Sequence, residues 1–195
     1  MPSAKYLSLP SNGLSGFALR PIYIGDRDQW YAYLSIPEVI EHTSWNLSGP
    51  DDLGESIQWY TSEEPGTAIR LALIDISDDR LVGTFGFHSI SVPHRTAEIA
   101  FDLHPSFWKR GIASATCRCL VNWGFDVKRF LRIQAATLDT NSPSQRVLQR
   151  CGFAYEGRLR SFRIVRGRPG DFLMYSILPP AGAAAEGQVG DDSAA

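Results

Sequence analysis

The sequence predicts an α/β protein, a mixed β-sheet with helices packed on both faces. Three observations predict it. Several short segments alternate apolar and other residues with period two, while others repeat apolar residues at helical spacing. In chain order these segments read strand, helix, helix, a run of strands, then helix, strand, helix and a closing strand pair, an order that places helices on both sides of one sheet. In Phe101-Asp102-Leu103-His104-Pro105-Ser106-Phe107-Trp108-Lys109-Arg110-Gly111-Ile112-Ala113-Ser114, an apolar strand enters a basic turn that opens onto a helix of small first residues.

Each element has its own signal. Gly16 to Pro21 is a first strand, with Phe17 and Leu19 alternating with Ala18 and Arg20. Asp26 to Leu34 is a helix anchored by Trp30, Tyr31 and Leu34; Pro37 interrupts it and a short second piece runs to His42. Pro50-Asp51-Asp52 opens another helix, with proline in its first turn, acids at its positive end, and Leu53, Ile57 and Tyr60 on one face. Ala68 to Ile76 and Leu81 to Ile90 form a hairpin around Ser77-Asp78-Asp79, and Ala97 to Leu103 is the next strand. A helix follows from Ile112 to Phe125, with Ala113, Cys117, Leu120, Val121 and Gly124 on its apolar face. Leu131 to Leu138 is a strand and Pro143 to Cys151 a helix. Tyr155 to Val165 and Phe172 to Leu178 close the domain as a hairpin around Gly167-Arg168-Pro169-Gly170. The expected organisation is an N-terminal arm over residues 1–15, one domain over 16–178, and a disordered acidic, Ala/Gly-rich tail over 179–195. The final hairpin offers an edge strand that a second copy can pair with, as a homodimer.

Composition limits the function classes. The 195 residues suffice for a single full core. A net charge of −2 gives no global basic field, so nucleic acid is not the expected partner. No apolar run approaches the ~18 residues of a membrane span, so no membrane contact is expected. Met1 to Pro21 lacks the basic-then-apolar order of a signal peptide, and a cytoplasmic location is expected. Three cysteines, an odd count, argue against a disulfide framework. Cys117 and Cys119 point to different helix faces with no second Cys/His pair nearby, which speaks for buried, reduced thiols rather than metal ligands.

The turn before residue 112 has a chemistry of its own. Gly111 lets backbone approach a ligand, and free N–H groups at a helix start beside Lys109 and Arg110 form a phosphate site. The plain alternative is a helix-start glycine. Neither Gly-x-x-x-x-Gly-Lys-Ser/Thr nor Gly-x-Gly-x-x-Gly occurs, so a P-loop NTPase and a dinucleotide fold are not indicated.

Trp108-Lys109-Arg110-Gly111-Ile112-Ala113 resembles the Gln/Arg-x-x-Gly-x-Gly/Ala signature of the GNAT superfamily of acetyl-CoA-dependent N-acetyltransferases. It matches at the glycine and the final alanine and departs at Trp108, where an aromatic is typical of the branch resembling ribosomal-protein alanine/serine N-acetyltransferases. Asn141-Ser142-Pro143-Ser144-Gln145-Arg146-Val147-Leu148-Gln149-Arg150-Cys151-Gly152-Phe153, with Glu156-Gly157 just after, resembles that branch's second motif. The resemblance spans about Phe17 to Leu178.

The resemblance implies a central mixed, mostly antiparallel sheet with a splayed strand pair, and acetyl-CoA as the donor. It places Trp108, Lys109, Arg110, Gly111, Ile112, Ala113 and Ser114 at the cofactor's pyrophosphate. Phe101, Asp102 and Leu103 stand beside the pantetheine and thioester through their main chain. It brings Asn141 to the pantetheine region and Ser144 near the sulfur, where Ser144 can donate to the leaving thiolate; the alternative is a Ser that decorates the first helical turn. The acceptor implied is a primary amine, either a protein N-terminus or a small molecule. With no cysteine at either motif's first turn, direct transfer in a ternary complex is expected.

Glu98 is the other candidate for proton work. In Ala97 to Leu103 the apolar side chains share one face and Glu98, Ala100 and Asp102 the other. Glu98 can hold a water and act as base, bind the substrate amine, or pair with an arginine. The acid found on the later strand in some members of the branch is missing from Leu159 to Ile164, and a tyrosine acid has no clear counterpart in Tyr155 or Tyr175. Trp30, Tyr33, Glu38, His42, Trp45, Trp59 and Tyr60 are offered to the acceptor cleft or to the core. His88 and His94 read as surface or packed residues. The arginines at 158, 160, 163, 166 and 168 face an acidic segment, the cofactor's 3′-phosphate or RNA, or merely solvent. A non-catalytic acetyl-CoA sensor and an RNA-associated module are the competing classes.

Overall fold

Alternation along the strands decides which side chains each layer buries. A computed structural model describes Pro10 and residues 13–180, so most of the expected arm and nearly all of the expected tail lie outside the described residues. The strands are β1 (Phe17–Pro21), β2 (Ile69–Asp75), β3 (Arg80–Ser91), β4 (Thr96–Leu103), β5 (Arg132–Leu138), β6 (Ala154–Val165) and β7 (Arg168–Ile177). The helices are α1 (Arg27–Leu34), α2 (Pro37–His42), α3 (Pro50–Thr61), α4 (Ile112–Asp126) and α5 (Ser142–Arg150). The sheet runs β1-β2-β3-β4-β5-β7-β6, antiparallel at every step except the parallel β4–β5 pair. The mixed, mostly antiparallel sheet expected from the sequence is thus the observed one.

β2 shows how the two layers form. Ile69, Leu71 and Leu73 face a core built with Phe85, Phe87, Ile99 and, from α4 and α5, Leu120, Val121 and Leu148. Ala68, Ala72 and Ile74 face the opposite way, against Trp30, Tyr33, Leu53 and Ile57 of α1 and α3. Cys117 and Cys151 are buried, Cys119 is half-buried, and all three are free thiols. Among the described residues, no helix is long and apolar enough to cross a membrane.

One correction concerns the closing hairpin. Its second strand begins at Arg168, not Phe172, because the turn is only Arg166-Gly167, both at positive φ (50° and 75°), between paired Val165 and Arg168. Such two-residue loops match the twist of the strands. Pro169 is tolerated because β5 ends at Leu138, opposite Phe172, so Pro169 has a strand partner on one side only.

Two features fix the sheet's geometry around its centre. β4 and β5 pair only from Thr96–Glu98 to Arg132–Gln134 and part beyond Glu98. On the helical face beside that gap, Asp102 is buried (7 % exposed) and saturated with donors. Its carboxylate takes hydrogen bonds from the Trp30 indole at 3.2 Å, the Tyr33 hydroxyl, the Thr84 hydroxyl at 2.8 Å and the Arg70 guanidinium, which forms an ion pair with it. Arg70 also donates to Thr84 Oγ1 at 2.8 Å and to the Ala100 carbonyl at 3.3 Å. Burial, and then the Asp102 charge, push the Tyr33 hydroxyl well above its ordinary pKa, so it stays a donor. A buried charge is costly unless every lone pair is met, and here four side chains from three elements supply the partners.

Tyr33→Phe is therefore expected to destabilise the protein by about 1.5–3 kcal/mol, the range for a hydrogen bond to a charged group. Urea unfolding checks this, and a change under 0.5 kcal/mol would show that the network does not pin α1. Glu156 makes a second test. Hydrogen bonds from Arg132, then Ser176, hold its carboxyl down from 4.5 to about 2. A folded value below the unfolded one stabilises above pH 4.5, and the contribution fades as pH falls through about 2. The stability gap between wild type and Glu156→Gln is expected to shrink between pH 6 and pH 2; a constant gap in pH-resolved denaturation would refute it.

Candidate active site

The parting of β4 from β5 leaves one edge of β4 without a strand partner. The His104 N–H bonds back to the Val82 carbonyl on β3 at 2.8 Å. Alternation then turns the N–H groups of Phe101 and Leu103 the other way, towards the gap.

Two cavities meet there. The smaller, about 220 Å³, is walled by Phe101, Asp102 and Leu103 of β4, by Trp108, Lys109, Gly111, Ile112, Ala113 and Ser114 of the turn, and by Asn141 and Ser144 of α5's start. Eleven of the residues that the sequence assigned to cofactor binding line it, and Arg110 does not: its guanidinium lies over the Phe107 ring, 5.1 Å from the centroid. Arg146 and Arg150, one helical turn apart on α5, line it with Lys109. Sequence reading passed over this pair, although their i, i+4 spacing inside the second motif was the available signal.

The turn is built for backbone donation. Gly111 sits at φ 78°, a left-handed conformation that L side chains rarely adopt, and α4 begins after it with no side-chain cap and no acid in its first turn. The first intrahelical bond is Ala115 N–H to the Gly111 carbonyl, at 3.0 Å, which leaves the Ile112, Ala113 and Ser114 amides facing outward at a positive helix end. Trp108, the residue that departs from the signature, donates its indole N–H to the Leu103 carbonyl at 2.6 Å and so ties the turn to the end of β4.

The larger cavity, about 500 Å³, is bordered by the end of α2, the end of α3, the gap between β4 and β5, and the closing strand pair. Glu98, His88, Arg163 and the Arg70–Asp102 pair supply its polar surface, and Trp45, Trp59, Tyr60 and Phe172 supply aromatic walls. Glu98 is buried and bound by Arg163 at 2.9 Å, so of the three uses open to it in the sequence, the arginine pair is the one present. His88 stands opposite Glu98 in the β3–β4 register, its Nε2 3.6 Å from the carboxylate. Burial holds its pKa below the ordinary imidazole value, against the pull of Glu98. This places His88 in the site, where the sequence had offered only a surface or packed residue. Trp30 and Tyr33, by contrast, are core and network residues, and Tyr175 is core.

The two cavities share His42, Thr43, Phe101, Asp102, Asn141 and Ser144. Asn141 organises this junction. Its Oδ1 accepts the Ser144 N–H at 3.0 Å, capping α5, and its Nδ2 donates to the His42 carbonyl at 2.6 Å, holding the end of α2. Three of the five arginines have partners within the protein, although all but Arg163 are exposed: Arg158 pairs with Asp139 and Asp171, Arg163 with Glu98, and Arg166 donates to the Ile40 and Thr43 carbonyls.

Comparison with known proteins agrees with this geometry. Residues 17–154 match the family described as acetyltransferase (GNAT) domain. The uncharacterized N-acetyltransferase YoaA of Bacillus subtilis is 32% identical over 164 residues, 83% of this chain and 93% of that protein. A ribosomal-protein-S5-alanine acetyltransferase from Vibrio fischeri superposes with a TM-score of 0.76 at 18% identity, over 86% of this chain and 96% of that one. Spermidine N-acetyltransferase from Vibrio cholerae, solved with CoA and spermine, gives 0.73 at 20% identity, over 85% and 96%.

Asn141→Ala removes a helix cap and the tie to His42 together. It is expected to cost about 1–3 kcal/mol, a cap plus one hydrogen bond. Urea denaturation measures it, and a loss below 0.5 kcal/mol would mean that Asn141 does not hold the junction.

Proposed function

The chain belongs to the GNAT acetyltransferase family as an acetyl-CoA-dependent acyltransferase, and on that premise we propose that it acetylates a single primary amine by direct transfer in a ternary complex. The observation that carries the reading is the meeting of the two cavities where β4 leaves β5.

The smaller cavity suits the donor. An uncapped helix start, a left-handed glycine and three cations fit a pyrophosphate, which needs backbone N–H groups and positive charge. Acetyl-CoA supplies the activated acyl group as a thioester. The Phe101 and Leu103 N–H groups that face the gap are fixed donors for an oxygen gaining negative charge. Ser144, in both cavities, is placed to donate a hydrogen bond to the leaving sulfur. No cysteine lines either cavity, which supports transfer without an acetyl-enzyme.

The larger cavity suits one amine rather than a polyamine. Its two carboxylates, Asp102 and Glu98, are each ion-paired, with Arg70 and Arg163, so neither is spare to hold a second cationic group. At neutral pH an α-amine (pKa ~8) offers far more of its reactive neutral form than a lysine (~10.4). The acceptor is therefore read as the N-terminal α-amine of a peptide or protein, lodged against Trp45, Trp59 and Tyr60. Glu98, one step back from the junction, holds Arg163 at the wall of that cavity. This reading sides with the alanine acetyltransferase among the structural neighbours rather than the spermidine enzyme.

CoA release from acetyl-CoA is the test, run with peptides beginning with Ala, Ser or Met, with small monoamines and with spermidine. A peptide is expected to be the best acceptor, and Ser144→Ala is expected to lower kcat about 10- to 100-fold with little change in KM. Spermidine turning over tenfold better than every peptide would overturn the acceptor assignment. Acetyl-CoA binding, seen by thermal shift, without turnover on any amine would instead identify a non-catalytic sensor.

A further inference from the structure

We infer that His88 takes, through water in the larger cavity, the proton that the acceptor nitrogen gives up. The inference rests on the transferase reading above and concerns the polar cluster of His88, Glu98 and Arg163 in the wall of that cavity.

The strand register builds the cluster. His88 on β3 stands opposite Glu98 on β4, side by side on one face of the sheet, and Arg163 reaches over from β6. β3 is irregular just past His88: its register with β4 shifts between His88 and Ser91, and Ser89 sits at φ 50°. Bulges of this kind re-aim a side chain. Nδ1 of His88 lies 3.0 Å from Ser89 Oγ, and Nε2 lies 3.6 Å from Glu98 Oε1, too far for a hydrogen bond. With Nδ1 donating to Ser89, Nε2 keeps its lone pair and points into the cluster that lines the cavity. The side chain is 28% exposed, and among the described residues Nε2, without a hydrogen bond, is not one of the polar atoms that the protein seals from water.

Charge decides which group can keep the proton. Burial lowers the His88 pKa, Glu98 on β4 raises it, and Arg163 on β6 and Arg70 on β2 lower it further. The ring is therefore neutral at pH 7 and free to accept. Once protonated it stands against the Glu98 carboxylate, and the contact becomes an ion pair. The other titratable groups of the cavity are less suited. Asp102 is filled by Trp30, Tyr33, Thr84 and Arg70, Glu98 is held by Arg163 at 2.9 Å, and Tyr60 on α3 is kept protonated by burial. His42, the other histidine of the cavity, has its ring 6.1 Å from that of Trp108, and its Nδ1 is sealed from solvent.

The proton balance closes. The neutral amine's lone pair forms the C–N bond, and the nitrogen turns cationic and acidic, so a base of the strength of an imidazole suffices. Glu98 stands three residues before Phe101, about 10 Å along the strand, a span that cavity water bridges. One proton passes along it from the nitrogen to His88 Nε2, the C–S bond breaks, and the departing sulfur gains one proton from the Ser144 side. Solvent then takes the proton from His88 and restores Ser144.

The test is the pH dependence of kcat/KM for the best peptide of the panel, from about pH 5 to about pH 9. The α-amine must be neutral, with a pKa of ~8, and so must His88, with one below ~6.5, so the wild-type profile is expected to steepen from one proton to two as pH falls. In His88→Gln the second proton should be lost and kcat should fall about 100-fold, the lower end of what a general base contributes. KM for acetyl-CoA should stay within about threefold, because His88 lines only the larger cavity. In Glu98→Gln the second proton is expected to remain, with its midpoint moved to lower pH, since the charge that raises the His88 pKa is gone. A His88→Gln variant that keeps both protons and kcat within about threefold overturns the role of His88 and leaves the transferase reading standing. Loss of the second proton in Glu98→Gln or His42→Gln instead does the same. Absence of wild-type turnover on every amine sinks both. Thermal melts confirm folding. If the His88 variant does not fold, NMR titration of the wild-type imidazole decides: its midpoint is expected at the lower step of the profile, and a ring that does not titrate there overturns the role.

Discussion

The Asp102 carboxylate is almost wholly buried, next to the gap between β4 and β5. A charge in that position is tolerable only if its lone pairs are filled by protein donors. Trp30 and Tyr33 come from α1, Arg70 from β2 and Thr84 from β3, so satisfying one side chain sets four elements against each other. The same strand, read one residue to either side, presents the Phe101 and Leu103 amides to the gap. The position of those amides is thereby tied to the polar anchor between them, on a strand that also buries Ala97, Ile99 and Leu103. Arg70 shows the same logic from the opposite direction: it interrupts an otherwise apolar buried strand and is retained because Asp102 needs it.

The gap itself is stable because each of its walls keeps a partner on the far side. β4 stays paired with β3 through to Leu103, and β5 stays paired with β7 through to Leu138. Parting two strands normally leaves an edge open to other chains. Here the opening lies inside the sheet, with α5 and the turn on one side and the α2–α3 region on the other. The unpaired backbone groups are thereby reserved for a ligand that can enter end-on.

Much of this was legible in the sequence, for physical reasons that also mark where legibility ends. Period-two and helical spacings located the strands and helices because side-chain burial follows directly from backbone geometry. The lining of the smaller cavity was legible because most of it lies within one short stretch, Phe101 to Ser114. Pro169-Gly170 misled, since both residues signal a turn, yet they fit a strand that has a neighbour on one side only. Glu98 could be given three uses but not one, because Arg163 lies 65 residues away. His88 could be read only as a surface or packed residue, since the carboxylate beside its ring comes from the neighbouring strand. The departure at Trp108, in sequence a feature of the branch that the chain resembles, has its physical role in the indole's hydrogen bond to the Leu103 carbonyl.

That contrast separates the two halves of the site. On the proposed reading the donor end is mostly local, a strand, a turn and a helix start joined by the start of α5, with the backbone N–H groups and positive charge that a phosphate requires. The acceptor end is assembled from residues 42–45, 59–60, 88, 98, 163 and 172, which meet only because the closing hairpin reaches back across the sheet. Arg166 and Arg163 make that reach effective, one fastening the end of α2 and the other neutralising Glu98. Of the five arginines that the sequence left between an external partner and plain solvent, Arg163 and Arg166 thus fasten the walls of the larger cavity, while Arg158, Arg160 and Arg168 stay exposed. On the proposed reading, a change in the hairpin is expected to alter which amine is accepted while leaving donor binding intact, because the larger cavity is walled by contacts between distant segments and the smaller one by the two motifs.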